Sequence, residues 1–263
     1  MIENCIDPSI VFFNTYINSF DNLNEEQIKN FAIKKEHSLR VAEIAECISF
    51  KLELEESDIS IAKLAALFHD IGRFSQLSKY NTLDDSKSIN HAEYSVEILK
   101  QEDILQKLEC NSEEIIFSAI LAHNKFEIPA KLNGKELLHA KILRDADKLD
   151  ILKVLTDYYS QRNIQANHTL TWELPKGNGV SENVESSVLA GKVVQKKDVV
   201  SEIDMKIMQL SWIYDLNFKC TIEYALQQRF FAKIYDSLPK NDKIINIYRK
   251  IKLFGENKIM ELS

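Results

Sequence analysis

The stretch SDISIAKLAALFHDIGR has apolar residues at helical spacing and ends in the pair His69–Asp70. Apolar side chains recur every three or four positions from Ile61 to Phe68, which predicts an amphipathic helix from Ser57 to about Ile71. Ser57 fits its N-cap, and Gly72 fits a residue that ends it. A neutral imidazole beside a carboxylate suits a transition metal. The same pair also occurs as a buried histidine next to a capping aspartate, so two interpretations stand at this point.

The composition favours helices throughout the chain. Its 263 residues include only 6 glycines and 4 prolines, which argues against a turn-rich sheet fold. The net charge of −7 speaks against broad nucleic-acid binding. No apolar run is long enough to cross a membrane, and the first residues lack a basic signal region. The four cysteines form no CxxC motif and indicate reduced thiols in a cytoplasmic protein.

Three further histidines fall on inward faces or at helix ends. His37 shares the apolar stripe of a long predicted helix over Ile28–Leu54. His91 follows Asn90, which fits a helix N-cap, and His123 ends the apolar stripe of another predicted helix. A polar residue on an apolar stripe needs a partner, so each is either hydrogen-bonded in the core or a metal ligand.

Two aspartates lie on the next predicted helix, KELLHAKILRDADKLDILKVLTDYY. Asp145 and Asp147 are two residues apart and so point to nearly opposite faces of a helix. We expect Asp147 to face the core and Asp145 to face solvent.

The remaining segments complete the prediction of an all-α fold in a single domain over residues 1–263. A short helix is expected over Ile10–Phe20, a polar loop over 73–89 and a loop or lid over 160–180, the last because of its proline and two glycines. Two or three helices, at about 181–217, 219–237 and 240–253, follow as a C-terminal extension that reaches about residue 258.

The order of these residues resembles the HD superfamily of metal-dependent phosphohydrolases. The resemblance rests on His37, on LFHDIGR and on RDADKLD, and it covers a core of about residues 28–158. It implies an HD-domain helical bundle with additional C-terminal helices. His91 and His123 are similar to the extra histidines of the two-metal members.

The resemblance implies two divalent transition metals, with Mn, Fe, Co, Ni and Zn indistinguishable and Mg compatible. One ion would be held by His37, His69, Asp70 and Asp147, and Asp70 would bridge to a second ion on His91 and His123. A metal-activated hydroxide would then attack phosphorus, which makes Asp70 the catalytic candidate. The expected substrate is a nucleotide or another small phosphate ester.

Four cations are expected to contact the substrate. Arg73 stands where many relatives have lysine after HDIG, and its fork of donors suits phosphate. The other three candidates are Lys125, Arg144 and Lys148, although each residue taken by itself is more often an ordinary solvated charge. His139 and His168 have no counterpart in the family pattern and receive no role.

Three departures narrow the resemblance, and two other functions stay open. No GYP motif follows His123, no Glu-Asp pair follows HDIG, and the HDIGHxPFGH pattern is absent. These departures speak against cyclic di-GMP cleavage, alarmone hydrolysis and large deoxynucleotide triphosphohydrolases, in that order. The first alternative is an HD-type di-iron oxygenase acting on a small polyol or phosphonate. The second is an inactive binding module, disfavoured because six buried ligands are costly to keep without metal.

Overall fold

The computed structural model describes residues 5–107, 112–160, 172 and 174–262, with the side chains of residues 106 and 107 left aside. All regular elements in these residues are helices, and none is a strand, so the all-α prediction is confirmed. The chain divides into two compact units, Met1–Asp150 and Ile151–Ser263. None of the described helices has the length and apolar character needed to cross a bilayer.

The first unit is built from α-helices that we number in chain order. They are α1 (Ile6–Asn18), α2 (Glu25–Lys51), α3 (Glu56–Phe68), α4 (Gly72–Tyr80), α5 (His91–Gln101), α6 (Ile104–Lys107), α7 (Glu113–His123) and α8 (Gly134–Ser160), which continues into the second unit. A short 3₁₀ turn, Asp85–Lys87, lies between α4 and α5.

Helix α3 is the centre of this unit and packs against α1, α2 and α7. Every residue from Asp58 to Phe68 except Lys63 is buried, so α3 is a core helix rather than the expected amphipathic one. It also ends earlier than predicted. Ser57 lies inside the helix, and Glu55 occupies the N-cap without a side-chain hydrogen bond.

Gly72 does not end α3 but begins α4, a helix that the sequence analysis took for part of a loop. Phe74 and Leu77 are buried on α4 although polar neighbours hide their spacing. A Cβ atom at Gly72 would lie 2.5 Å from the carbonyl oxygen of His91 and 2.8 Å from the amide nitrogen of Ser95. Glycine is therefore required by the close approach of α5.

Two capping motifs explain where α2 and α5 begin. Asn24 and Gln27 form a capping box, so α2 starts three residues before the predicted Ile28. The Asn90 side chain accepts hydrogen bonds from the amides of Ala92 and Glu93, as the sequence predicts.

The second unit contains the end of α8 and five further helices. They are α9 (Glu182–Leu189), α10 (Glu202–Ser211), α11 (Lys219–Gln227), α12 (Phe230–Asp236) and α13 (Asp242–Glu261). The predicted helices over 181–217 and 219–237 are each interrupted, because Gly191 and Arg229 adopt positive φ angles of 71° and 58°. Most of the predicted lid over 160–180, namely 161–171 and 173, lies outside the described residues, as does His168.

Candidate metal centre

Five helices of the first unit bring six predicted ligands together. His37 lies within α2, His69 and Asp70 directly follow α3, His91 begins α5, His123 ends α7, and Asp147 lies within α8. Two groups have candidate ligand atoms within 4.8 Å of one another: His37, His69 and Asp70 form the first, and Asp70, His91 and His123 form the second. We call them the first and the second triad.

Asp70 belongs to both triads and divides its two oxygens between them. Its Oδ2 lies 3.7 Å from Nε2 of His37 and 3.6 Å from Nε2 of His69. Its Oδ1 lies 3.3 Å from Nε2 of His91 and 3.9 Å from Nε2 of His123. This is the arrangement of a bridging carboxylate.

Asp147 extends the first triad. Its Oδ1 lies 3.1 Å from Nε2 of His37 and 3.9 Å from Nε2 of His69. With a side chain 18% exposed, it is the most open of the predicted ligands.

The tautomer of each histidine follows from the partner of its Nδ1 atom. Nδ1 of His69 donates to the carbonyl of Ala66 at 2.7 Å, and Nδ1 of His123 donates to the carbonyl of Ile120 at 2.6 Å. Each bond returns to the preceding turn of the ring's own helix. In the neutral rings, these bonds leave Nε2 as a lone pair aimed into the site.

In the other two histidines, His37 and His91, the partner of Nδ1 is a carboxylate instead of a backbone carbonyl. Nδ1 of His37 lies 2.7 Å from Asp150, and Nδ1 of His91 lies 2.6 Å from Asp85. Arg40 in turn donates two hydrogen bonds to Asp150, at 2.6 and 3.0 Å. A carboxylate behind a ligating histidine fixes the ring and raises the basicity of its free nitrogen.

The Nε2 lone pairs suit metal ions, and few hydrogen-bond donors among the described residues could pair with them instead. The Nε2 atoms of His91 and His123 lie 3.0 Å apart, although the Nδ1 bonds make both of them acceptors. Nε2 of His69 is buried and has no hydrogen-bond partner among the described residues. Opposed acceptors and an unpaired buried nitrogen are costly, and a cation between them removes that cost.

The protonation states also suit a metal. Burial raises the pKa of Asp70, but the nearby charges, first among them those of Lys34 and Arg73, lower it well below its usual value. Asp70 is therefore ionised at neutral pH, as a metal ligand must be.

The histidine pKa values divide into two kinds. Burial lowers the pKa of His69, His91 and His123, which keeps these rings neutral. Burial and the charge of Lys34 lower the pKa of His37, but the hydrogen bonds to Asp147 and Asp150 outweigh both effects and raise it overall. The two carboxylates therefore favour the protonated form of His37, and a metal ion on its Nε2 atom would have to displace a proton.

Two cations contact the shared carboxylate. Nζ of Lys34 lies 2.7 Å from Oδ2 of Asp70, and Nε of Arg73 lies 3.5 Å from its Oδ1. Arg73 was predicted from the sequence, whereas Lys34 was not. Arg73 also donates from one Nη atom to Gln76, to the carbonyl of Leu83 and to Asp85, each at 2.7 Å.

The three other predicted cations have different surroundings. Lys125 is 43% exposed and faces Glu93 at 3.4 Å, and Lys148 is partly buried on α8. Arg144 is 2% exposed and donates to carbonyls at the end of α7 and beyond, including those of His123 at 3.3 Å and Phe126 at 3.2 Å. These contacts hold the end of α7, and a substrate contact by Arg144 stays a prediction.

The expectation for Asp145 is wrong. Its side chain is fully buried, because α8 is enclosed on more than the one face that the helical period identified.

Four residues that contact the predicted ligands or their partners were not predicted from the sequence, namely Lys34, Asp85, Asp150 and Arg40. Lys34 and Arg40 each lie one helical turn from His37, and Asp150 lies one turn from Asp147, so helical spacing places them beside the ligands but does not give their partners.

Comparison with protein-family models matches residues 35–152 to the HD domain. This range contains all six predicted ligands. No curated protein and no solved structure matches the chain significantly.

Proposed function

Residues 35–152 are an HD domain, and on that premise we propose that the protein is a metal-dependent phosphohydrolase. Its substrate would be a nucleotide or another small phosphate ester. The observation that carries the proposal is Asp70, whose two oxygens face two separate pairs of histidine Nε2 atoms. The same donors suit two divalent transition metals.

Two bound divalent ions would supply a water activated at neutral pH and a clamp for phosphate oxygens. The protein's own share is to keep the ligands ready. Asp70 is held ionised, and Asp85 and Asp150 orient His91 and His37. Such an arrangement lets His37 and His91 keep their ring orientations when metal and substrate arrive.

The charge of the site supports an anionic substrate. Four carboxylates (Asp70, Asp85, Asp147 and Asp150) and three cations (Lys34, Arg40 and Arg73) are joined by the contacts described above. Two divalent ions added to this set would make it net positive. A phosphate ester brings the negative charge that such a site attracts.

An oxygen-isotope experiment tests hydrolysis against the oxygenase alternative. The manganese-loaded protein is incubated without dioxygen, in H₂¹⁸O, with nucleoside phosphates, dinucleoside polyphosphates and aryl phosphate esters. We expect turnover with ¹⁸O in the released phosphate, and Asp70→Ala should abolish it. Turnover that occurs only with iron and dioxygen would overturn the proposal.

A further inference from the structure

The ammonium of Lys34 contacts the Asp70 carboxylate on the side that faces the histidines of the first triad. Lys34 lies on α2 one turn before His37, and its ammonium donates to Oδ2 of Asp70 at 2.7 Å. Oδ2 is also the oxygen that faces Nε2 of His37 and His69. Among the described residues, the Lys34 ammonium therefore has Asp70 as its hydrogen-bond and ion-pair partner.

A divalent ion on the first triad would compete with Lys34 for Oδ2. An ammonium and a metal ion on one carboxylate oxygen repel each other strongly at such short range. Lysine can resolve the conflict by rotation, because its charge sits at the end of a flexible four-carbon stem. The side chain is 19% exposed, so its neighbours do not enclose it completely.

The other cations near the triads have less freedom. Arg73 is bonded to Asp85, Gln76 and the carbonyl of Leu83, and Arg144 donates to backbone carbonyls at the end of α7. Lys34 is the cation that metal binding itself would release. An ammonium released beside two metal ions needs a negative partner, and substrate phosphate oxygens provide one.

We propose that Lys34 exchanges Asp70 for a substrate phosphate oxygen when the first metal ion binds. This inference rests on the proposed phosphohydrolase function and adds a substrate contact to it. It makes Lys34 a competitor of the metal before loading and a phosphate ligand afterwards. The two roles predict opposite effects of one substitution.

The test measures Mn²⁺ affinity and inorganic phosphate affinity of the full chain by calorimetry. In Lys34→Met, which keeps the apolar stem, the first Mn²⁺ should bind about tenfold more tightly, since a charge-assisted hydrogen bond no longer competes. Phosphate should bind the metal-loaded variant about tenfold more weakly, and Lys34→Arg should restore part of that loss. Lys29→Met, an exposed lysine on the same helix, is the control and should change neither affinity.

Several results would contradict the inference. If Lys34→Met lowers or leaves unchanged the Mn²⁺ affinity, Lys34 does not compete with the metal. If phosphate binds Lys34→Met as it binds the wild type, Lys34 is not a phosphate ligand. Wild-type protein that binds phosphate but turns over no ester would refute the proposed hydrolysis and leave this inference standing, whereas metal-loaded wild type that binds no phosphate would refute the inference.

Discussion

Asp85 accepts a hydrogen bond from Nδ1 of His91 at 2.6 Å. Its second oxygen lies 2.7 Å from Arg73 and 3.0 Å from Gln76, so the carboxylate is fixed from two sides. The partners His91, Arg73 and Gln76 hold the pKa of Asp85 far below its usual value, although burial opposes them. Asp85 therefore links the second triad to the predicted phosphate contact.

The first prediction concerns the carboxylates behind the histidines. Asp85→Asn should weaken metal binding at the second triad by about 10–100-fold, because loss of such a partner disorients one ligand. The ion at the first triad should stay bound. Asp150→Asn should do the reverse through His37. Both are measured by titration with Co²⁺, whose visible spectrum reports each site, and Glu97→Gln on the exposed face of α5 is the control. Equal loss at both sites in either variant would contradict these assignments.

A second prediction concerns Arg144. Because its guanidinium donates to carbonyls at the end of α7, Arg144→Met should leave these buried acceptors unpaired and lower the free energy of unfolding by about 1–3 kcal/mol. Urea denaturation measures this, with Lys141→Met on α8 as the control. If stability is unchanged and phosphate binding is lost instead, Arg144 is the substrate contact that the sequence suggested.

Gly72 gives a third prediction. A methyl group there would meet backbone atoms of His91 and Ser95, so Gly72→Ala should cost about 1–3 kcal/mol of stability. It should also weaken metal binding at the second triad, because α5 carries His91 and would have to move. Gly179→Ala, whose Cβ would meet nothing within 4 Å, is the control. Unchanged thermal stability in Gly72→Ala would show that α4 and α5 do not pack this closely.

Helical spacing was enough to predict the inward direction of the ligands but not their neighbours. His37 and His123 could be assigned because each continues an apolar stripe on its own helix. The bond between Lys34 and Asp70 joins residues 36 apart, and that between Arg40 and Asp150 joins residues 110 apart. Such pairs depend on how helices pack together, which the period of a single helix does not contain.

The same limit explains the error for Asp145 on α8. The period identified one buried face, but a helix enclosed on several sides also buries Asp145. Helix α4 was missed because its nine residues offer too few apolar positions to establish a period.

A fourth prediction concerns pH and His139, to which the sequence analysis gave no role. His139 is fully buried, and its Nε2 donates to Asp58 at 3.1 Å. Burial lowers its pKa below the usual 6.5, so the unfolded chain takes up the proton first as pH falls. His139 therefore contributes stability above about pH 6.5 that is lost as the pH drops below that value.

We expect the free energy of unfolding of the metal-free protein to fall between about pH 7.5 and 5.5, and to fall less steeply in His139→Gln. Denaturation in chelator at several pH values measures both slopes. The histidines of the triads titrate in both proteins and cancel in the comparison. Parallel curves would show that His139 does not contribute.

We expect Asp70 to be shared between two metal ions. Crystals of the Mn²⁺-loaded protein, measured at the manganese edge, test it directly through the anomalous difference map. We expect two peaks about 3.5–4 Å apart, one on each oxygen of Asp70, and none in Asp70→Ala. A single peak in the wild type, or two peaks that do not share Asp70, would contradict it.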